Sequence, residues 1–374
     1  MTNGRRGWIQ SVRVSLDDTL RKAGSAGSST APRVSTTTVY DPAVPALPRQ
    51  VLVTGASGFV GSHVVRALAA RGIVVRAQGR DAARLSFPGS VRICRFALSD
   101  ATALTAAASG CDAIVHAAAL SAPWGARQDF VDANVIGTAN VIAAAGANHV
   151  RRLVHISSPA VIFDGNDQHL VDDSAPYPVR LGSHYARTKR TAEELVRAVS
   201  MKLETVIIRP KAIYGAGDRA LVPRLLHAAR RGALPQIGNG LNTVDITHVD
   251  DVVGAIECAL STTAGIGETF LVTGGEHVLL WEMIRELLTG VGLPLPRHSM
   301  PVAVALVAAS AMEAIAAVTG REPTLTRYST QILARTQTYD ISRAHQLLGY
   351  APRVTSAHGL ARTIDALRAA PDVA

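Results

Sequence analysis

From Gln50 onward, short runs of β-branched and aliphatic residues alternate with longer stretches whose apolar positions recur at helical spacing. The short runs predict strands at 50–54, 73–78, 91–96, 112–116, 151–157 and 203–209. The longer stretches predict helices at 59–70, 101–109, 127–147, 184–200 and 221–231. Strands that alternate with helices form a parallel sheet covered on both faces. The expected fold class is therefore α/β, a doubly wound parallel sheet with its site at the carboxyl ends of the strands. Residues 1–48 break the pattern. Ser, Thr, Gly and Pro dominate 24–48, a linker composition. Before it, Trp8, Ile9, Val12, Leu16 and Leu20 fit one face of a short helix ringed by Arg6, Arg13, Arg21 and Lys22. A basic amphipathic helix of this kind touches membrane surfaces; a flexible tail or an over-called start is the preferred reading. The segment lacks an apolar core long enough for a secretory signal.

Between the first strand and first helix lies Val-Leu-Val-Thr-Gly-Ala-Ser-Gly-Phe-Val-Gly-Ser, residues 51–62. Gly55, Gly58 and Gly61 are spaced G-x-x-G-x-x-G. A strand turning tightly into a helix aims free N–H groups and a positive dipole end at one spot, where a pyrophosphate fits. Glycine is needed where a side chain would block the turn, the phosphate or the helix–strand packing. Gly55, Ser57, Gly58, Phe59, Val60 and Gly61 are thus candidate cofactor-binding residues. The second strand then decides between cofactors. An acid at its end would bind the ribose 2′-OH of NAD, but the chain reads Gln78-Gly79-Arg80, with Arg84 a turn later. A guanidinium grips a 2′-phosphate through paired hydrogen bonds, so NADP(H) is expected over NAD(H); stacking of Arg80 on adenine is the alternative. Small residues after the fourth strand, Ala117–Ala119, let backbone approach the cofactor, and Ala117 and Pro210 complete the cofactor set. His116 reads as structural, and Asn134 and Thr138 lie on the following helix.

Tyr185-Ala-Arg-Thr-Lys189 carries the chemistry. Residues four apart share a helix face. A free phenol titrates near pH ~10, too high for a base at neutrality, and a neighbouring ammonium favours phenolate. Tyr185 would then exchange a proton with a substrate alcohol or carbonyl. The third member is a hydroxyl at a strand end. Ser158 is chosen to hold the substrate oxygen, and Ser157 fits a turn cap better.

Composition narrows the field. The 374 residues are 48% hydrophobic and carry a net charge of +9. The basic residues are scattered arginines with only four lysines, Lys22, Lys189, Lys202 and Lys211. No basic block with interleaved aromatics appears, so no nucleic-acid partner is expected. Cys94, Cys111 and Cys258 are isolated; no disulfide frame or metal spacing is visible, and a reducing compartment is favoured. Asp250 and Asp251 open a helix at 250–261 and read as its N-cap. Met300–Val318 is almost wholly apolar and near the ~20 residues that span a bilayer. Glu313 argues against spanning, since a mid-bilayer acid costs about 3 kcal/mol. The segment suits either a greasy wall of the substrate pocket resting on a membrane or a buried or subunit-interface helix.

Together Thr54–Gly61, His116–Ala119, Ser158, Tyr185–Lys189 and Arg209-Pro-Lys-Ala-Ile-Tyr-Gly-Ala-Gly-Asp218 resemble the extended short-chain dehydrogenases/reductases, from about Gln50 to the end. Within them, Ser157-Ser-Pro-Ala-Val-Ile-Phe-Asp-Gly165 and Gly320-Arg-Glu-Pro-Thr-Leu-Thr-Arg327 are similar to the 3β-hydroxysteroid dehydrogenase/isomerase group, which includes sterol-4α-carboxylate 3-dehydrogenases and 2-alkyl-3-oxoalkanoate reductases. Ala122-Pro-Trp-Gly125 and residues 242–250 look closest to the last branch. The chain departs from the pattern at Ala97, where an adenine-contacting Asp is usual, so that contact is either missing or supplied by Asp100. The resemblance implies a Rossmann domain over 49–210 with return segments near 244–273, and a smaller, mainly helical substrate-binding part over 211–243 and 274–374. It implies a Ser158–Tyr185–Lys189 mechanism in which Lys189 also binds the cofactor ribose. Asn134 would stabilise the fold beside the site. The expected activity interconverts 3-hydroxy and 3-oxo groups on a large apolar lipid, in a cytoplasmic enzyme with peripheral membrane contact or a homodimer. Two alternatives stand beside it: a nucleotide-sugar epimerase or dehydratase, with Arg219 and Arg224 as diphosphate ligands, and a non-catalytic NADP sensor.

Overall fold

The computed structural model describes residues 47–369, so the predicted extension at 1–48 lies outside it except for Leu47 and Pro48. The longer strands are β1 (Gln50–Thr54), β2 (Val74–Gly79), β3 (Val91–Arg95), β4 (Ala113–His116), β5 (Arg152–Ile156), β6 (Gln168–Val171), β7 (Glu204–Pro210), β8 (Thr243–Asp245), β9 (Thr269–Val272), β10 (His277–Leu279) and β11 (Gln337–Tyr339). The main helices are α1 (Phe59–Ala70), α2 (Ala101–Ala108), α3 (Arg127–Ala147), α4 (His184–Ala198), α5 (Val222–Arg230), α6 (Val249–Ser261), α7 (Leu280–Gly290), α8 (Val302–Thr319), α9 (Arg327–Ala334) and α10 (Ser356–Ala369). The strands and helices expected through residue 231 fall within two residues of these bounds.

Seven strands make one sheet in the order β9-β7-β5-β4-β1-β2-β3, every pair parallel. The chain winds outward from β1 to β3, then crosses back to β4 on the other side of β1. That reversal opens a crevice beyond the carboxyl ends of β1 and β4. Side chains alternate across the sheet. Val51, Val53, Val115 and Val154 pack against α1 and α6 on one face. Leu52, Ile114, Leu153 and Ile207 pack against α2, α3 and α4 on the other.

The second half is mainly helical, as expected, and adds short strands. A four-stranded sheet runs in the order β10-β8-β11-β6. Its β11 and β6 join residues as far apart as Gln168 and Gln337. Around fully buried Trp281, residues of α5, α7 and α10 close a separate core.

α8 buries only Ala305, Ala309 and Ala316, while Val304, Val307, Ile315 and Val318 are exposed. Both α3 and α8 are long and apolar enough to cross a membrane by length and composition; half of the apolar window of α3 is buried inside the fold, and 17% of that of α8. Glu313 is held at the start of α9, accepting from Arg327 N at 2.8 Å and Nε at 2.7 Å. The N-cap expected of Asp250 or Asp251 is made instead by His248, whose ring accepts from Asp250 N. The two acids stand in the first turn, where the helix dipole favours them. Asp251 accepts from Arg353 N and Val354 N, which ties the later chain to α6.

Candidate active site

β1 enters the glycine turn at Gly55, whose φ of +71° suits glycine. A Cβ there would lie 2.7 Å from Ala118 Cα, and one on Gly61 would lie 2.2 Å from Gly55 O. The turn, the first coil of α1 and the loop after β4 therefore meet backbone to backbone. No side chain caps α1, so its first N–H groups are available to an anion. This cradle, lined by the candidates Gly55, Ser57, Gly58, Phe59, Val60 and Gly61, has a shape that fits a dinucleotide pyrophosphate. Arg219 crosses the turn and donates to Ser57 O at 3.2 Å.

Gln78 is buried and braces the cradle, accepting from Gly55 N at 3.1 Å and donating to Phe96 O at 2.6 Å. Arg80 follows it, exposed at the end of β2. Ser57 faces the same end, its Oγ 2.9 Å from where a Gly79 Cβ would sit. Arg84 instead pairs with Asp81 at 2.9 Å. Asp100 caps α2 by accepting from Ala103 N at 2.9 Å, which engages the carboxylate that stood in for an adenine contact.

His116 is structural. The Thr138 hydroxyl donates to Asn134 O at 2.6 Å and lies 2.9 Å from His116 Nε2; the Thr54 hydroxyl lies 2.7 Å from Nδ1. Burial pulls the imidazole down to about 3, aided by the charge of Lys189, so the ring is neutral. Asn134 sits where α3 widens into a π turn at Val131–Ile136. Its amide donates to Leu120 O and Thr188 Oγ1 at 3.1 and 3.0 Å, and its oxygen accepts from Leu120 N at 2.7 Å. It thereby clamps the loop after β4 to α4, as the resemblance implied.

α4 starts at Ser183, whose hydroxyl accepts from Ala186 N at 3.1 Å. Tyr185, Lys189 and Glu193 then stack at four-residue spacing. The Tyr185 hydroxyl is within hydrogen-bonding reach of Ser158 and Ser121. Burial raises its pKa, and the two serine contacts oppose that only in part. Lys189 Nζ is engaged elsewhere, donating to Ile156 O at 2.6 Å and lying 3.2 Å from His155 Nε2. Burial pulls Lys189 itself down to about 8, against the charge of Glu193.

The serine roles also shift. Ser158 makes the turn cap, accepting from Ala160 N at 3.3 Å, whereas the Ser157 hydroxyl is buried beside the Glu193 carboxylate. Ser158 serves both the turn and Tyr185. Pro210, the last cofactor candidate, ends β7 in register with Val272. Two neighbours of the phenol were missed. Ser121 closes the small-residue run after β4. Tyr328 of α9 is buried near enough that the charge of an ionised Tyr185 would oppose its own ionisation, with Phe163 edge-on to Tyr328 at 6.4 Å. Nothing in the local pattern of 327–334 marks Tyr328.

The model of the NAD dependent epimerase/dehydratase family matches residues 51–273. A 2-alkyl-3-oxoalkanoate reductase of Stenotrophomonas maltophilia is 35% identical over 323 residues, 84% of this chain and 98% of the relative. A decarboxylating sterol-4-alpha-carboxylate 3-dehydrogenase of Homo sapiens is 32% identical over 340 residues, 86% and 88% of the two chains. Among solved structures, MoeE5 in complex with UDP-glucose and NAD has a TM-score of 0.68 at 27% identity, covering 86% of this chain and 99% of that one.

Proposed function

This chain belongs to the NAD dependent epimerase/dehydratase family and is an oxidoreductase, and from that premise we propose that it reduces a 3-oxo group on a large apolar lipid with NADP(H) preferred. The substrate is of the 2-alkyl-3-oxoalkanoate or 3β-hydroxysteroid type. One observation carries the reading: a buried Tyr185 phenol held beside two serine hydroxyls, next to a cradle shaped for a dinucleotide. The nicotinamide cofactor supplies hydride. Ser158 donates a hydrogen bond to the substrate oxygen and stabilises the charge growing there. Tyr185 passes its proton to that oxygen, and its raised pKa keeps the acid form present at neutral pH. Lys189 presents its ammonium to the cofactor ribose. Arg80 and Ser57, at the end of β2, hold the 2′-phosphate.

The lipid class is supported by two curated relatives with such names and by α8, whose exposed apolar face suits contact with a membrane surface. The nucleotide-sugar alternative needs cations for a diphosphate in the second half. Arg224 is 3.5 Å from Glu322, and Arg219 reaches back to the glycine turn. The test incubates purified protein with NADPH or NADP⁺ and a 3β-hydroxysteroid, a long-chain 2-alkyl-3-oxo acid or a UDP-sugar, following nicotinamide absorbance. Turnover of a lipid that is lost in Tyr185→Phe supports the proposal. Turnover of only the UDP-sugar, or lipid turnover unchanged by that substitution, overturns it.

A further inference from the structure

β5 carries a histidine where it runs beneath the catalytic helix. Alternation along the strand puts His155 on the same face as Leu153, toward α4. It lies in register with His116 on β4 and Ile207 on β7. Its ring is fully buried, 5.2 Å from the His116 ring. Its Nε2 is 3.2 Å from Lys189 Nζ, and its Nδ1 has no partner.

Donor counting fixes the protons. An ammonium has donors only, so His155 Nε2 accepts and the ring proton sits on Nδ1. His116 has both nitrogens engaged. Thr138 donates its single hydroxyl proton to Asn134 O and accepts from His116 Nε2, which leaves Nδ1 of His116 as the acceptor for Thr54. Around this pair the charged groups are few. Lys189 faces His155 from α4 and His116 from β4. Glu193 stands one turn beyond Lys189 and is closed by Arg209 of β7 and by Tyr177. Burial and the charge of Lys189 both press His155 toward the neutral form. A buried donor without a partner is costly, and the Nδ1–H of His155 is such a donor. What the ring supplies in return is an acceptor for Lys189.

We propose that His155 is a positioning residue for Lys189: a neutral imidazole that, together with Ile156 O, fixes two of the three ammonium N–H bonds. The third is then confined to one direction. An ammonium in this buried site also depends on such acceptors to remain charged. The role rests on Tyr185 and Lys189 being the acid–base pair, but its test needs neither substrate nor turnover.

The chain has four lysines, so protein labelled with ¹³C at lysine Cε gives a spectrum in which Lys189 is the signal lost in Lys189→Met. Its titration midpoint is read in the wild type, His155→Phe and His155→Gln. Phe removes the acceptor, and the midpoint falls by about one pH unit or more. Gln keeps an oxygen acceptor and stays closer to the wild type. A midpoint in His155→Phe that is unchanged or higher overturns the proposal. Because His155→Phe disturbs a packed core, the tautomer is also read in the wild type from ¹⁵N-histidine shifts. Nδ1 protonated and Nε2 bare is the expected result. A proton on Nε2, or on both nitrogens near neutral pH, overturns the proposal whatever the variants do. If the lipid panel fails while these results hold, the substrate reading falls and the His155 role stands.

Discussion

Glu193 locks the catalytic helix to β7, and its removal is the perturbation whose size the structure defines best. Its carboxylate accepts from Arg209 Nε at 2.9 Å and Nη2 at 2.7 Å, and from the Tyr177 hydroxyl at 2.5 Å. The two charged side chains are 0% and 1% exposed. Burial alone would raise the carboxyl pKa, but the hydrogen bonds and charge of Arg209 outweigh it and hold the group below the usual range. Glu193→Ala strands a buried guanidinium whose Nη1 already lacks a partner. Breaking a buried pair costs about 3–5 kcal/mol. With roughly 2 cal/mol/K of unfolding entropy per residue, a chain of this length then loses about 4–7 °C in Tm. Glu193→Gln, which keeps one acceptor oxygen, should lose less. Leu at 193 with Met at 209 should recover most of the loss, because an apolar pair needs no solvation. The sign with pH follows from the depressed carboxyl pKa. The stabilisation is complete above the ordinary Glu value and disappears as pH falls through the folded one, so the gap to the wild type narrows below about pH 4. Thermal and urea unfolding by circular dichroism at pH 7 and at about pH 3 measures this. Glu257→Ala is the comparison: its ion pair with Arg71 is half-exposed on the Arg side and is worth at most about 1 kcal/mol. A Glu193→Ala loss no larger than that of Glu257→Ala would falsify the account of a pair held by desolvation.

Ser158→Ala should lower kcat about 10²–10³-fold with little change in Tm, since a 3.3 Å cap bond and the contact with the Tyr185 hydroxyl are lost; stopped-flow reduction of the lipid that turns over measures it, and a loss confined to KM would count against its proposed role. Arg80→Gln should raise KM for NADPH about 10–100-fold, the worth of a charge-assisted pair, and leave NADH unchanged; equal effects on both cofactors would assign Arg80 to the adenine instead. Glu at Val307 and Ile315, both exposed on α8, should abolish co-sedimentation with lipid vesicles while leaving Tm within about 1 °C; vesicle binding that survives would place the membrane contact elsewhere.

What the sequence made readable was chemistry that acts over one or two turns of chain. A Cβ on Gly61 would lie 2.2 Å from Gly55 O, six residues away, so the requirement for glycine is local and the spacing carries it. Tyr185 and Lys189 share a face because a helix repeats every 3.6 residues, whatever packs around it. Contacts between distant elements were not readable. Gln168 pairs with Gln337 in strands of four and three residues, too short for alternation to register. Tyr328 stands near Tyr185 on a helix anchored through Arg327 to Glu313 on α8, and no periodicity encodes that. The pKa of Tyr185 shows how such a limit bears on function. Spacing alone suggests an ammonium beside a phenol and hence a phenolate. In the fold, Ile156 O and His155 draw the ammonium toward β5, and burial raises the phenol's pKa against its two serine contacts, a balance that no spacing along the chain encodes.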